Sequence, residues 1–269
     1  MFGHVFYHSV IRKYVAVFGT LFNEVYVNRY DSGSDMYETI KVPITYGPKE
    51  KVLARVTQDP NLDRMPAITL PRMSFEMTSL NYATSRKLNT LGRRVKKDVD
   101  SPNDLKYQYN PVPYDLSFTL NIITKHADEG ANIVEQILPF FTPEWTTTVE
   151  IIPEMNHVVD IPVVLDRVVC NDEYEGDFLN RRAVIWTLDF TMKAYMFGPV
   201  RKQGVIKFAN TNIYNSTTPA NTNMSSIDVR PGLLANGSPT SNSAASVSID
   251  LIESDDNYGY IVTVTNPNE

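Results

Sequence analysis

Four histidines, one cysteine, an acidic stretch and one basic run are the places in this 269-residue sequence where side-chain types could do chemistry. His4 and His8 stand four apart, a spacing that puts two imidazoles on one helix face and would suit two ligands of a zinc site. No third ligand follows at a telling spacing, and His126 and His157 have no motif around them, so no metal centre is expected. Asn171, Asp172, Glu173, Tyr174, Glu175, Gly176 and Asp177 imitate the start of a calcium loop, with oxygen-bearing side chains at its first, third and fifth positions and glycine at its sixth. Arg182 occupies the twelfth position, where such a loop needs a bidentate Glu, so an exposed acidic turn between two strands is expected instead. Cys170 is the only cysteine and cannot form an intramolecular disulfide. Within the run Val168, Val169, Cys170 it is expected as a small buried hydrophobe rather than a nucleophile.

No glycine-rich phosphate loop and no G-x-S-x-G elbow is present, and nothing in the sequence pairs its carboxylates into a glycosidase dyad. The expectation is a chain with no catalytic residues, no cofactor and no metal. One basic run stands out between 86 and 97: Arg86, Lys87, Arg93, Arg94, Lys96 and Lys97, with no acid among them. Two readings stay open, a solvated connection between strands or a docking patch for an acidic protein surface or for phosphates. No aromatic residue interrupts the run, so a stacking platform for single-stranded nucleic acid is not expected.

The elements that must carry these residues follow from composition and period. Hydrophobic residues at 42 % and charged residues at 21 % are globular values, so a core can form without disulfides or metals. A net charge of −6 argues against general affinity for nucleic acid. The apolar stretch 14–22 follows Arg12 and Lys13 but lacks a small-residue cleavage site and is far too short to span a bilayer, so a soluble protein made in a reducing cytosol is expected.

Val10, Ile11, Tyr14, Val15, Phe18 and Phe22 fall on one helix face. Residues 39–46 read as a strand that Pro43 confines to an edge or a bulge, and Pro48 suits the start of a short helix carrying Val52, Leu53 and Val56. Alternation of period two predicts strands over 72–78, 115–121 and 184–194. A second helix is expected from Asp128 and Glu129 through Ile133, Val134, Ile137, Leu138 and Phe141, ended by Pro139 and Pro143.

Helices on one face of a mostly antiparallel sheet give an α+β expectation for residues 1–208. Half of residues 209–248 are Ser, Thr or Asn, which predicts a polar linker or arm over 209–245 that orders against a partner. A C-terminal hairpin is expected over 246–269, from Val247, Ile249 and Leu251 through a turn at Asp255, Asp256 and Asn257 to 260–264.

Separate stretches, in order, resemble a known family across roughly the first 200 residues. They are Met1, Phe2 and Gly3; Arg12, Tyr14 and Gly19-Thr20-Leu21-Phe22; Lys41-Val42-Pro43-Ile44-Thr45-Tyr46 with Lys49-Glu50; and Leu70-Pro71-Arg72. Tyr109-Asn110-Pro111-Val112-Pro113 follows, then the most distinctive piece, Ile133-Val134-Glu135-Gln136-Ile137-Leu138-Pro139-Phe140-Phe141 with Pro143. Gly176-Asp177, Leu179, Arg181-Arg182, Ile185-Trp186, Leu188 and Phe190 close the series near Met196 and Pro199. On these residues the sequence resembles the sheath-stabilising tail completion family of T4-like contractile-tailed bacteriophages, with the C-terminal arm and hairpin outside the likeness.

The resemblance implies a tail-terminator-like fold and a homo-hexameric ring, a structural subunit and not an enzyme. It implies a place in the virion at the tail–neck junction, assembly in the host bacterial cytoplasm, and partners in the tail tube, the tail sheath and the neck. DNA would pass through the ring without sequence-specific binding, with no membrane and no small-molecule substrate involved. Another neck or baseplate connector is the alternative. A virion-associated hydrolase would need a motif that is missing here, and a carbohydrate-binding sandwich fits the second helix poorly.

Overall fold

The computed structural model describes residues 5–30, 36–52, 70–98, 100–101, 103–173, 183–214 and 223–266. The chain forms two compact units, one from residues 1–89 and 111–197, the other from 90–110 and 198–269. The second unit is therefore assembled from an inserted segment and the C-terminal segment.

In the first unit, helix α1 (Val10–Leu21) precedes a hairpin of β1 (Tyr26–Tyr30) and β2 (Met36–Lys41). A six-stranded sheet carries the rest: β3 (Ile44–Tyr46), β4 (Arg72–Tyr82), β7 (Val112–Thr124), β10 (Ala183–Met196), β9 (His157–Glu173) and β8 (Glu144–Ile152), in that spatial order. Only the β3–β4 pair is parallel. Helix α2 (Ala127–Ile137) lies between β7 and β8 in sequence. Pro43 separates β2 from the short edge strand β3, as a residue that cannot donate to a ladder must.

The alternating residues do what their period requires. Met73 and Phe75 of β4, Leu116, Phe118, Leu120 and Ile122 of β7, and Leu188, Phe190 and Met192 of β10 are buried. The α1 face supplies Val10, Tyr14 and Phe18, while Ile11 is exposed. Phe18 sits at the centre, stacked on Phe118 at 4.4 Å and meeting Phe22, Phe75 and Phe190 at 5.2–5.4 Å between ring centroids. The Tyr14 hydroxyl donates to the Tyr195 carbonyl at 2.6 Å and accepts from the Tyr195 amide at 3.1 Å. Burial pushes its pKa up to about 12. Helix α2 approaches β10 so closely that a Cβ on Gly130 would stand 2.6 Å from Trp186 Nε1, and its Glu129 pairs with Arg29 of β1 at 3.0 Å.

The opposite face of the sheet is polar. Thr119 donates to Asp189 at 2.9 Å, Thr187 to Asn121 at 3.1 Å and Ser79 to Ser117 at 2.9 Å, while Arg167 holds Asp189 at 2.8 Å. Apolar residues return at one end of it, where Val52, Ile123 and Ile185 are buried with Leu70 beside them.

The second unit contains two three-stranded sheets. One has the order β11 (Arg201–Gly204), β6 (Asp104–Tyr109), β5 (Arg93–Lys97); the other β12 (Ala209–Tyr214), β13 (Asn223–Gly232), β14 (Gly259–Thr265). Paired glycines on β13 and β14 let a loop cross the second sheet. A Cβ on Gly232 would meet the Thr240 carbonyl oxygen at 2.3 Å, and one on Gly259 would meet it at 2.8 Å.

The α+β expectation is corrected: the protein is mostly β, with several sheets including a curled six-stranded one, and is not a set of helices packed on a single sheet. Two helices stand out by their period, but strands built from residues scattered along the chain outweigh them. Much of 209–245 is strand, because Asn, Thr and Ser of β12 and β13 alternate with Ile213, Ile227 and Val229. Residues 259–265 form a strand as expected, but its partner is β13, and Ile249–Leu251 is a 3-10 turn.

Candidate interaction surfaces

The basic run is split by the fold. Arg86 and Lys87 belong to the first unit, and Arg93, Arg94, Lys96 and Lys97 form strand β5 of the second. Arg86 is engaged locally: it donates to Asp115 at 2.6 Å and to the Tyr114 carbonyl at 3.0 Å, with its guanidinium 5.2 Å from the Tyr195 ring. Lys97 is paired with Glu253 and lies 3.0 Å from Asp255. Those two carboxylates raise the Lys97 pKa, Glu253 contributing most, and Lys97 in turn lowers that of Asp255. Lys87, Arg93 and Arg94 are exposed and Lys96 is half-buried, with Arg93 lying 5.6 Å over the Tyr107 ring.

Strand register adds two cations that lie far from the run in sequence. Lys106 pairs with Lys96 on one side and with Lys202 on the other, so three lysines stand in one row across β5, β6 and β11. Like charges directly opposite each other destabilise a sheet unless something neutralises them. Asp98, fully buried just past β5, does so: its Oδ1 lies 2.7 Å from Lys106 Nζ and its Oδ2 2.6 Å from Lys202 Nζ. Lys106 first and Lys202 second hold the Asp98 carboxyl well below the usual carboxylate range, and the Asp98 contact raises the Lys202 pKa. One carboxylate thus serves two ammonium groups, and the cations Arg94, Lys96, Lys106 and Lys202 outnumber Asp98 and Asp104 on that side of the sheet. Uncompensated charge in the run 86–97 is the signal for this side, but the lysine row could be found only from strand pairing.

A second surface is apolar. Alternation and register put Thr211 and Ile213 of β12, Ile227 and Val229 of β13, and Tyr260, Val262 and Val264 of β14 on one face. It carries no charged residue, and Ile213, Tyr260, Val262 and Val264 are exposed. Where Ala209, Val229, Pro231 and Tyr260 meet, it runs into a cleft of about 170 Å³. Lys207 lines the same cleft and donates its ammonium to the carbonyls of Ile249 at 3.1 Å and Ile252 at 2.6 Å.

A third surface is a strand edge. β8 closes the six-stranded sheet; it is rich in Thr, carries Glu144 and Glu150, and contains neither proline nor lysine. Trp145 on this strand packs edge-on against the exposed Phe140 at 5.6 Å. β8 pairs with β9 only as far as Val164, which leaves the following residues of β9 with β10 as their neighbour. Cys170 lies in that stretch and is exposed, which corrects the expectation of a buried thiol.

Among the described residues no group of three potential metal ligands occurs, and no helix is long and apolar enough to cross a membrane. His157 is buried against Phe197 at 4.9 Å, and His126 precedes α2. His4 and most of the calcium-loop imitation lie outside the described residues.

Residues 5–256 match the family model of the T4-like virus Myoviridae tail sheath stabiliser. The match runs through both units and past residue 200 into the C-terminal segment that the sequence resemblance had left outside. The tail completion protein gp15 of Enterobacteria phage T4 is 30 % identical over 225 residues, covering 81 % of this chain and 81 % of that protein. A match of this extent places the chain in the tail sheath stabiliser family of T4-like contractile-tailed phages.

Proposed function

We propose that this chain assembles into a homo-hexameric ring that ends the tail tube and sheath, keeps the extended sheath from contracting early, and presents its far side to the neck proteins of the head. Family membership carries the reading. Tube and sheath grow by heterologous contacts that do not close along the axis, so growth stops only when a subunit offers a compatible lower face and a different upper one. Such a subunit needs several distinct binding surfaces. A basic sheet, an uncharged apolar face and the edge strand β8 suit that requirement. DNA crosses the ring without sequence-specific contacts, and the ring is built in the host cytoplasm and ends up at the tail–neck junction.

Within this reading, the basic patch of Arg86, Lys87, Arg93, Arg94, Lys96 and Lys97 docks an acidic partner surface, with Arg86 tied locally to Asp115 and Lys97 to Glu253 and Asp255. Light scattering after size exclusion should give a species near six times the 30.5 kDa monomer, either alone or once templated by isolated tails. Reversing Arg93→Glu with Arg94→Glu should abolish joining of tails to heads while leaving the fold intact. Unimpaired joining by the double variant would remove the docking role of this patch.

A further inference from the structure

The six-stranded sheet and the basic sheet each end on a strand whose outer side pairs with no other strand among the described residues: β8 on one and β5 on the other. Their charges are opposite. β8 carries Glu144 and Glu150 and no basic residue, and its Thr148 donates at 2.6 Å to the exposed Asp160 beside it on β9. β5 has four basic residues in five and no acid. Charge of one sign on an edge strand guards it against a second copy of itself, because like charges would stand opposite each other. The same charges favour one edge meeting the other.

The side chains match in detail. Laid antiparallel with Val149 of β8 opposite Val95 of β5, the two strands set Glu150 opposite Arg94 and Thr148 opposite Lys96. Val95 is 53 % exposed within a run of cations, and this register gives it an apolar neighbour. Asp160, next to Thr148, then extends the row of Lys96, Lys106 and Lys202, in which Asp98 is one carboxylate among three ammonium groups. No other edge among the described strands offers both features. β3, β12 and β14 carry no charge, Arg29 of β1 is held by Glu38 and Glu129, and β2 balances Lys41 with Glu38. β11 has Arg201 and Lys202, but Lys202 is held by Asp98 and the strand has no apolar residue.

A closed ring is built from heterologous contacts, which join two different surfaces of the same chain. We infer that the β8 edge of one copy pairs with the β5 edge of the next, adding main-chain hydrogen bonds to the charge match. This inference rests on the ring reading and deepens it by naming the acidic partner of the basic strand. It ties the first unit of one subunit to the second unit of its neighbour, so that sheets run on from subunit to subunit.

Cysteine cross-linking tests it, in full-length protein carrying Cys170→Ser and treated with a short bis-maleimide, both free and bound to isolated tails. Thr148→Cys alone and Lys96→Cys alone should stay monomeric on denaturing gels. A mixture of the two should give dimers and nothing larger, and a chain carrying both should give a ladder up to six. Dimers from Thr148→Cys alone would show β8 pairing with itself, and adducts confined to one chain or made only with tail proteins would show another occupant; each overturns the assignment. Glu150→Lys or Arg94→Glu, added to the chain carrying both cysteines, should cut the ladder at least tenfold, and the two reversals together should restore it. A folded chain with both reversals that cross-links no better than either one also overturns the pairing. Light scattering on the same samples separates this failure from that of the ring. A hexamer-sized species without the ladder refutes the pairing and leaves the ring, whereas the absence of any assembly, even on tails, refutes both.

Discussion

Replacing Phe18 by Ala is the sharpest test of how the first unit is held together. Its ring is fully buried and lies within 4.4–5.4 Å of four other rings, Phe22 just past the end of α1, Phe75 of β4, Phe118 of β7 and Phe190 of β10. Truncating a buried Phe costs about 3–5 kcal/mol, and the cost is highest where the surroundings cannot collapse. Here Phe75, Phe118 and Phe190 are fixed by three neighbouring strands, so the cavity should persist and the loss should be about 4 kcal/mol. With a urea dependence of about 2 kcal/mol per molar, the midpoint falls by about 2 M. Both tryptophans, Trp145 and Trp186, belong to the first unit, so their fluorescence follows its unfolding. Phe140→Ala is the control, since Phe140 is exposed, and should shift stability by no more than about 0.5 kcal/mol. A Phe18→Ala midpoint within about 0.5 M of wild type would refute the claim that this cluster organises the sheet and α1.

Other perturbations have equally definite signs. Gly130→Ala should gain about 1 kcal/mol of helix propensity yet lose more than that against Trp186 and Thr124, for a net destabilisation of about 1–2 kcal/mol in the same fluorescence assay. Asp98 has a depressed folded pKa, so its stabilisation of the lysine row is complete above the ordinary carboxylate value of about 4 and is lost as pH falls through and below it. Amide protection in peptides covering 93–109, taken relative to the intrinsic exchange rate at each pH, should therefore fall on acidification through that window. Asp98→Asn should exchange faster at neutral pH and lose most of the acid-induced step; an unchanged step would show that other groups produce it.

The sequence carried its local chemistry well and its long-range pairing poorly. Val10, Tyr14 and Phe18 recur with a helical period because one face of α1 is buried, and 115–121 and 184–194 alternate because one face of the sheet is dry, so these elements can be read from spacing. β12 and β13 hid behind Asn, Ser and Thr, whose abundance suggests a solvated arm, although Thr tolerates strands and the few aliphatic residues fall on alternate positions. Excess strand over helix turned an α+β expectation into a mostly β protein with several sheets. The basic run was visible as uncompensated charge. Its division between two units, the capture of Arg86 by Asp115, and the row of Lys96, Lys106 and Lys202 around Asp98 depend on pairing between distant segments. The exposure of Cys170 is not legible in sequence, because its apolar neighbours say nothing about where β8 stops covering β9.

The central claim is that this chain stabilises a contractile tail by binding its end. The most direct measurement adds purified protein to tails assembled without it and follows the fraction of extended sheaths by electron microscopy, with the added subunits located by gold label. The account predicts label at a single end of each tail and extended sheaths that persist where unsupplemented ones shorten or come apart. Label absent from the tails, or sheaths that fail at the same rate with and without the protein, would contradict it.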